Sequence, residues 1–139
     1  MPGEARARVS GPAGLATVDE ILDTLERLWS DAPGVPAEDR TVFALAVSEI
    51  ATNMVQHGEV TAAVTLSVDL SLSSDELRAT LVDTAPPASI DWHGVAMPDV
   101  DSESGRGLAL AREVLDGFVH TYDDRGNTWV LVRRVGISR

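Results

Sequence analysis

Apolar positions along the chain keep two different periods, and each change of period marks an element. From residue 15 to 29, Leu15, Val18, Ile21, Leu22, Leu25, Leu28 and Trp29 recur three and four apart with acids between them. That spacing predicts an amphipathic helix, ended by Asp31-Ala32-Pro33-Gly34. A second helix is predicted from about Pro36 to Gly58, with Phe43, Val47, Ile50 and Met54 as its core stripe. Gly58 can take the left-handed conformation that closes a helix. The period then falls to two. Val64, Leu66, Val68, Leu70 and Leu72 alternate with polar residues, as a half-buried strand requires. Ser73-Ser74-Asp75-Glu76 reads as a turn, and Leu77 to Val82 as the returning strand of a hairpin. Residues 5–10 alternate weakly and suit an edge strand. A third helix is predicted from Arg106 to Asp116, followed by a strand at Phe118–Tyr122, a turn at Asp123-Asp124-Arg125-Gly126-Asn127 and a strand at Thr128–Arg134. The order β-α-α-β-β-loop-α-β-β groups strands into hairpins, which predicts an α+β layer rather than alternating parallel units.

Length and composition narrow the picture. A chain of 139 residues is expected to form a single domain, 1–139, with one core. Between residues 83 and 104 the sequence is rich in Pro, Gly, Ser and Asp and holds no period. A loop of that length in a compact domain signals function or disorder. Twenty-two acidic residues outweigh eleven basic ones, for a formal charge of −11. That balance argues against direct nucleic-acid binding, which rests on cations against phosphate, and against attachment to an anionic leaflet. Every basic residue is an arginine, so a Schiff-base lysine and a P-loop lysine are both excluded. With no cysteine, disulfides, thiolate metal sites and cysteine nucleophiles are excluded too. No apolar run reaches the ~18 residues of a membrane span, and the start lacks a charged-then-apolar leader. The expectation is a cytoplasmic protein with no membrane contact.

Three groups of residues carry candidate chemistry. Glu49 and Asn53 are four apart and share a face of the second helix, beside the apolar stripe. A carboxylate and a carboxamide at this spacing suit a divalent ion with phosphates, although the bare pair also suits a solvated face. Asn is a poor mid-helix residue unless its side chain has a task. Ser104-Gly105-Arg106-Gly107-Leu108 joins the long loop to the third helix. Its glycines admit a close ligand and its first amides offer donors to phosphate, or they simply make a pliant junction. Asp83 ends an apolar strand ahead of Thr84-Ala85-Pro86-Pro87. It suits acceptance of a hydrogen bond from an exocyclic amine such as that of adenine, or a turn before proline. His57, His93 and His120 have no metal-ligand spacing, and neither Ser48 nor Ser104 has a histidine at an interpretable distance.

In order, these pieces resemble one family. The run Ala46-Val47-Ser48-Glu49-Ile50-Ala51-Thr52-Asn53-Met54-Val55-Gln56-His57-Gly58 resembles the N-box of the GHKL ATPases, a superfamily that includes gyrase and the histidine kinases. Within it the run looks most like the bacterial anti-sigma-factor serine kinases. Asp83 falls where the family's adenine-binding Asp belongs. Ser104 to Leu108 looks like the second glycine box, and Asn127-Thr128 resembles the Gly-Thr that opens the last strand.

The resemblance implies the Bergerat fold, a two-layer sandwich of a mixed, mostly antiparallel sheet with helices on one face, and a lid over about 84–104. It implies ATP and Mg²⁺ as cofactors. Glu49 would be the catalytic base and Asn53 the Mg²⁺ ligand. Asn53, Asp83, Ala85, Ser104, Gly105, Arg106, Gly107, Leu108 and Thr128 would line the ATP site. The implied partners are a sigma factor and an anti-anti-sigma protein of the STAS type, with a homodimer as the assembly. The first glycine box departs from the family's Asp-x-Gly-x-Gly, reading Asp83-Thr84-Ala85-Pro86-Pro87. Ala85 adds a methyl group there, and Pro87 removes an amide and fixes φ. An alternative of the same fold follows, a catalytically silent nucleotide- or partner-binding regulator.

Overall fold

A computed structural model describes residues 4–58, 64–84 and 103–136, without the side chains of 56–58 and 103–107. The elements are β1 (Ala5–Pro12), α1 (Leu15–Leu28), a short 3₁₀ turn (Trp29–Asp31) and α2 (Ala37–Gly58). They continue with β2 (Thr65–Leu72), β3 (Glu76–Asp83), α3 (Glu103–Val114), β4 (Gly117–Asp123) and β5 (Gly126–Arg134). Among the described residues the strands form one five-stranded sheet in the order β1-β2-β3-β5-β4. All four pairings are antiparallel. The expected lid lies, from residue 85 to 102, outside the described residues.

Strand alternation decides which face is covered. In β2 the residues Leu66, Val68, Leu70 and Leu72 are buried while those between them are not. Register carries that face across the sheet, from Leu66 to Asp83 and then Asn127, and from Leu81 to Trp129 and then His120. α2 lies against β3 and β5 and between α1 and α3. Its stripe of Phe43, Val47, Ile50 and Met54 is buried as the spacing predicts. The opposite face carries exposed ion pairs, Arg8 with Asp69 and Arg78 with Glu76.

One buried ion pair fixes how α2 lies on the sheet. Arg133 Nε donates to Asp39 Oδ1 at 2.8 Å, and its Nη1 donates to the carbonyl of Val114 at 2.6 Å. The start of α2, the end of α3 and the end of β5 therefore meet at one guanidinium. From Asp39 to Asn53 is about 21 Å along a helix, and from Arg133 back to Asn127 is about 20 Å along a strand. Asn53 thus lies about as far from this pair along α2 as Asn127 does along β5.

Two hairpins close as their sequences direct. Ser73 Oγ accepts from the amides of Asp75 and Glu76. At the other, Asp123 pairs with Gly126, and Asp123 Oδ1 accepts from the amide of Arg125. That pairing leaves a two-residue loop, so the turn is shorter than the five turn-forming residues predict and Asn127 belongs to β5. Among the described residues, no helix is long and apolar enough to cross a membrane.

Candidate nucleotide site

Glu49 and Asn53 stand one turn apart on α2, the first half-buried and the second 5% exposed. Asn53 Oδ1 is buried with no hydrogen-bond partner among the described residues. Most buried polar atoms find a partner, and leaving one without costs about 1–3 kcal/mol. A neutral oxygen held this way is a hard-cation ligand in waiting. Among the described residues no three His, Asp or Glu side chains converge on a metal position. Mg²⁺ suits such a place, because it binds through one or two protein oxygens and takes the rest from phosphate and water. The residues present fit that ion.

On the sheet, Asp83 ends β3 with 3% exposure. Asp83 Oδ1 accepts from the Asn127 backbone amide at 3.3 Å and from Asn127 Nδ2 at 2.9 Å. Asn127 Oδ1 lies 2.9 Å from His120 Nε2. The His120 ring stacks on Trp129 with centroids 4.2 Å apart, and Trp129 in turn stacks on Phe118 at 5.8 Å. Gly126, at φ +144°, makes this close approach possible. A Cβ built there would come within 1.8 Å of the Asp83 carbonyl oxygen, so no other residue keeps the strands at this distance.

The remaining candidates divide by position. α3 begins at Glu103, three residues earlier than predicted, so Ser104, Gly105 and Arg106 lie in its first turn. Their amides are among those that a helix leaves without partners of its own. Leu108 is buried in the core, so its side chain serves packing. Ala85 lies outside the described residues. Thr128 is not brought to Asp83. Its register partners are Val82 and Thr121, which puts its side chain on the opposite face of the sheet. The polar side chain beside Asp83 is Asn127, one position earlier. His120, excluded from metal binding by spacing, joins the site through Asn127. Strand parity carried the signal for both: Trp129 and Leu131 face inward, so residue 127 must as well.

Residues 11–133 match the histidine kinase-like ATPase domain. The chain belongs to that family. Family membership makes it a GHKL-type ATP-binding domain, of a kind that typically binds Mg²⁺. A solved structure, the histidine kinase domain of the blue-light activated histidine kinase from Erythrobacter litoralis EL346, superimposes with a TM-score of 0.57 at 21% identity. The alignment covers 89% of this chain and 61% of that one. It shows the same fold. No curated protein matches.

Proposed function

We propose that this protein is an ATP-dependent protein-serine kinase that acts as an anti-sigma factor. It sequesters a sigma factor and phosphorylates a serine of a STAS-type antagonist. The observation that carries the catalytic part is Asn53 Oδ1, a buried acceptor without a partner among the described residues, one helical turn from a half-buried carboxylate. Asp83 accepts from the base's exocyclic amine, and the first amides of α3 receive the phosphates. Asn53 holds Mg²⁺, which when bound neutralises charge on the phosphate oxygens. Glu49 accepts the proton of the attacking serine hydroxyl. The subfamily rests on the run from Ala46 to Gly58, read through Gln56-His57.

The acidic surface suits a basic patch on a sigma factor. Transfer of a dianionic phosphate to the antagonist then releases it from an already acidic interface. β1 is an edge strand of the sheet, and its free side is the proposed seam of a homodimer. The site of action is the cytoplasm. The test combines the purified protein with Mg-ATP and the host's own sigma factors and STAS domains, with mass spectrometry for phosphoserine. Capture of a sigma factor together with phosphoserine on the antagonist is expected. Capture without phosphoserine selects a silent regulator, the reading that Ala85 and Pro87 in the first glycine box favour. Binding to neither class removes the regulatory reading and leaves the nucleotide site standing.

A further inference from the structure

The hydrogen bonds that link Asp83, Asn127 and His120 have one consistent direction. A carboxylate is an acceptor alone, so the nitrogen end of the Asn127 amide must face it. The backbone amide of Asn127 converges on the same oxygen, Asp83 Oδ1. The oxygen end of the Asn127 amide then faces His120 at 2.9 Å. An amide oxygen requires a donor, so Nε2 of His120 carries the proton. The imidazole cannot easily turn away, because Trp129 stacks on it within 20° of parallel and Tyr122 lies 5.9 Å from it. A ring on the edge strand thus sets the orientation of a buried carboxylate two strands away.

We propose that His120 is a positioning residue for base recognition, acting through Asn127 to fix the direction in which the Asp83 carboxylate faces the nucleotide base. The proposal rests on the adenine reading of Asp83 given above. Adenine offers an amine hydrogen where guanine offers a carbonyl oxygen. A carboxylate held in one orientation accepts from the first and repels the second. Without the His120 donor, the Asn127 amide loses one of the bonds that oppose its rotation, and the Asp83 carboxylate is held less firmly in its direction. The penalty then falls on the base and spares the phosphates.

Two variants separate the donor from the ring. His120→Phe keeps an aromatic face on Trp129 and removes the N–H. His120→Gln loses the ring but restores a side-chain N–H within reach of Asn127 Oδ1. Titration calorimetry with Mg²⁺ compares ADP, GDP and inorganic tripolyphosphate on the full chain. His120→Phe is expected to weaken ADP about tenfold, the worth of one hydrogen bond, and to narrow the preference for ADP over GDP by a similar factor. Tripolyphosphate affinity stays the same, and His120→Gln recovers most of the ADP loss. Equal weakening of all three ligands, or no change in any, overturns the proposal while wild-type ADP binding leaves the adenine reading intact. A wild-type protein that binds tripolyphosphate but no ADP overturns both. Nitrogen-15 spectra of the unliganded protein give an independent check. A proton on Nε2 of His120 is expected, and an Nε2 that carries none overturns the proposal.

Discussion

Among the described residues Asn53 Oδ1 has no partner, and a buried acceptor left so carries an energetic cost. Asn is also a weaker helix former than Ala. Asn53→Ala is therefore expected to leave the thermal midpoint of the unliganded protein unchanged or higher, while Mg²⁺-dependent nucleotide affinity falls. A lowered midpoint with unchanged affinity would make Asn53 a structural residue. Glu49→Gln keeps shape and hydrogen-bonding capacity but removes the proposed base. Nucleotide binding should survive, and serine phosphorylation should drop by roughly 10²–10⁴, as read by phosphoserine formation over time. Equal loss of binding in both variants would contradict the division of roles. Gly126→Ala tests the geometry beneath the base. With a positive φ and a Cβ 1.8 Å from the Asp83 carbonyl oxygen, the variant should lose about 3 kcal/mol or more. The urea midpoint should fall at constant m-value.

At the scale of elements, the ion pair of Asp39 and Arg133 joins α2, α3 and β5 at the end of the molecule away from Asp83. Both side chains are largely buried, at 13% and 6% exposure. Removing one partner of such a pair strands the other charge and costs about 3–5 kcal/mol. Asp39→Ala is expected to destabilise by that amount in chemical denaturation. Adding Arg133→Met to it should recover most of the loss. A double variant no better than the single one would show that Arg133 matters through the Val114 carbonyl instead.

Nothing in the sequence announces this pair, since its members are 94 residues apart and charge alone names no partner. The periodic elements were legible, because helix stripes such as Phe43, Val47, Ile50 and Met54 and strand runs such as Leu66 to Leu72 state their own burial. Boundaries rich in turn formers were not. The five residues from Asp123 to Asn127 all suit a turn, yet the Asp123–Gly126 pairing shortens it. Thr128 was expected at the site from its resemblance to the family's Gly-Thr, whereas strand register puts Asn127 beside Asp83 and Thr128 on the other face. Glu49, Asn53 and Asp83 stood out in the sequence as candidates, whereas the place of His120 beside Asn127 comes only from cross-strand register.

For the whole molecule, one face of the sheet bears the helices and the other bears ion pairs and exposed Val82 and Val119. A formal charge of −11 keeps the chain repelling itself and other acidic surfaces. Binding of a phosphate-bearing ligand to so acidic a protein must therefore depend on the local site rather than on the overall field. Mg²⁺ should be required to bring ATP to Asn53 and the start of α3. Thermal unfolding in rising Mg-ATP, beside ATP with chelator and beside Mg-GTP, tests this most directly. A ligand that binds only the folded state stabilises it by about 2.7 kcal/mol at a hundredfold excess over its Kd. The expected result is a midpoint that climbs by several degrees with Mg-ATP and much less with chelator or with Mg-GTP. A midpoint that stays flat up to millimolar Mg-ATP would contradict the account.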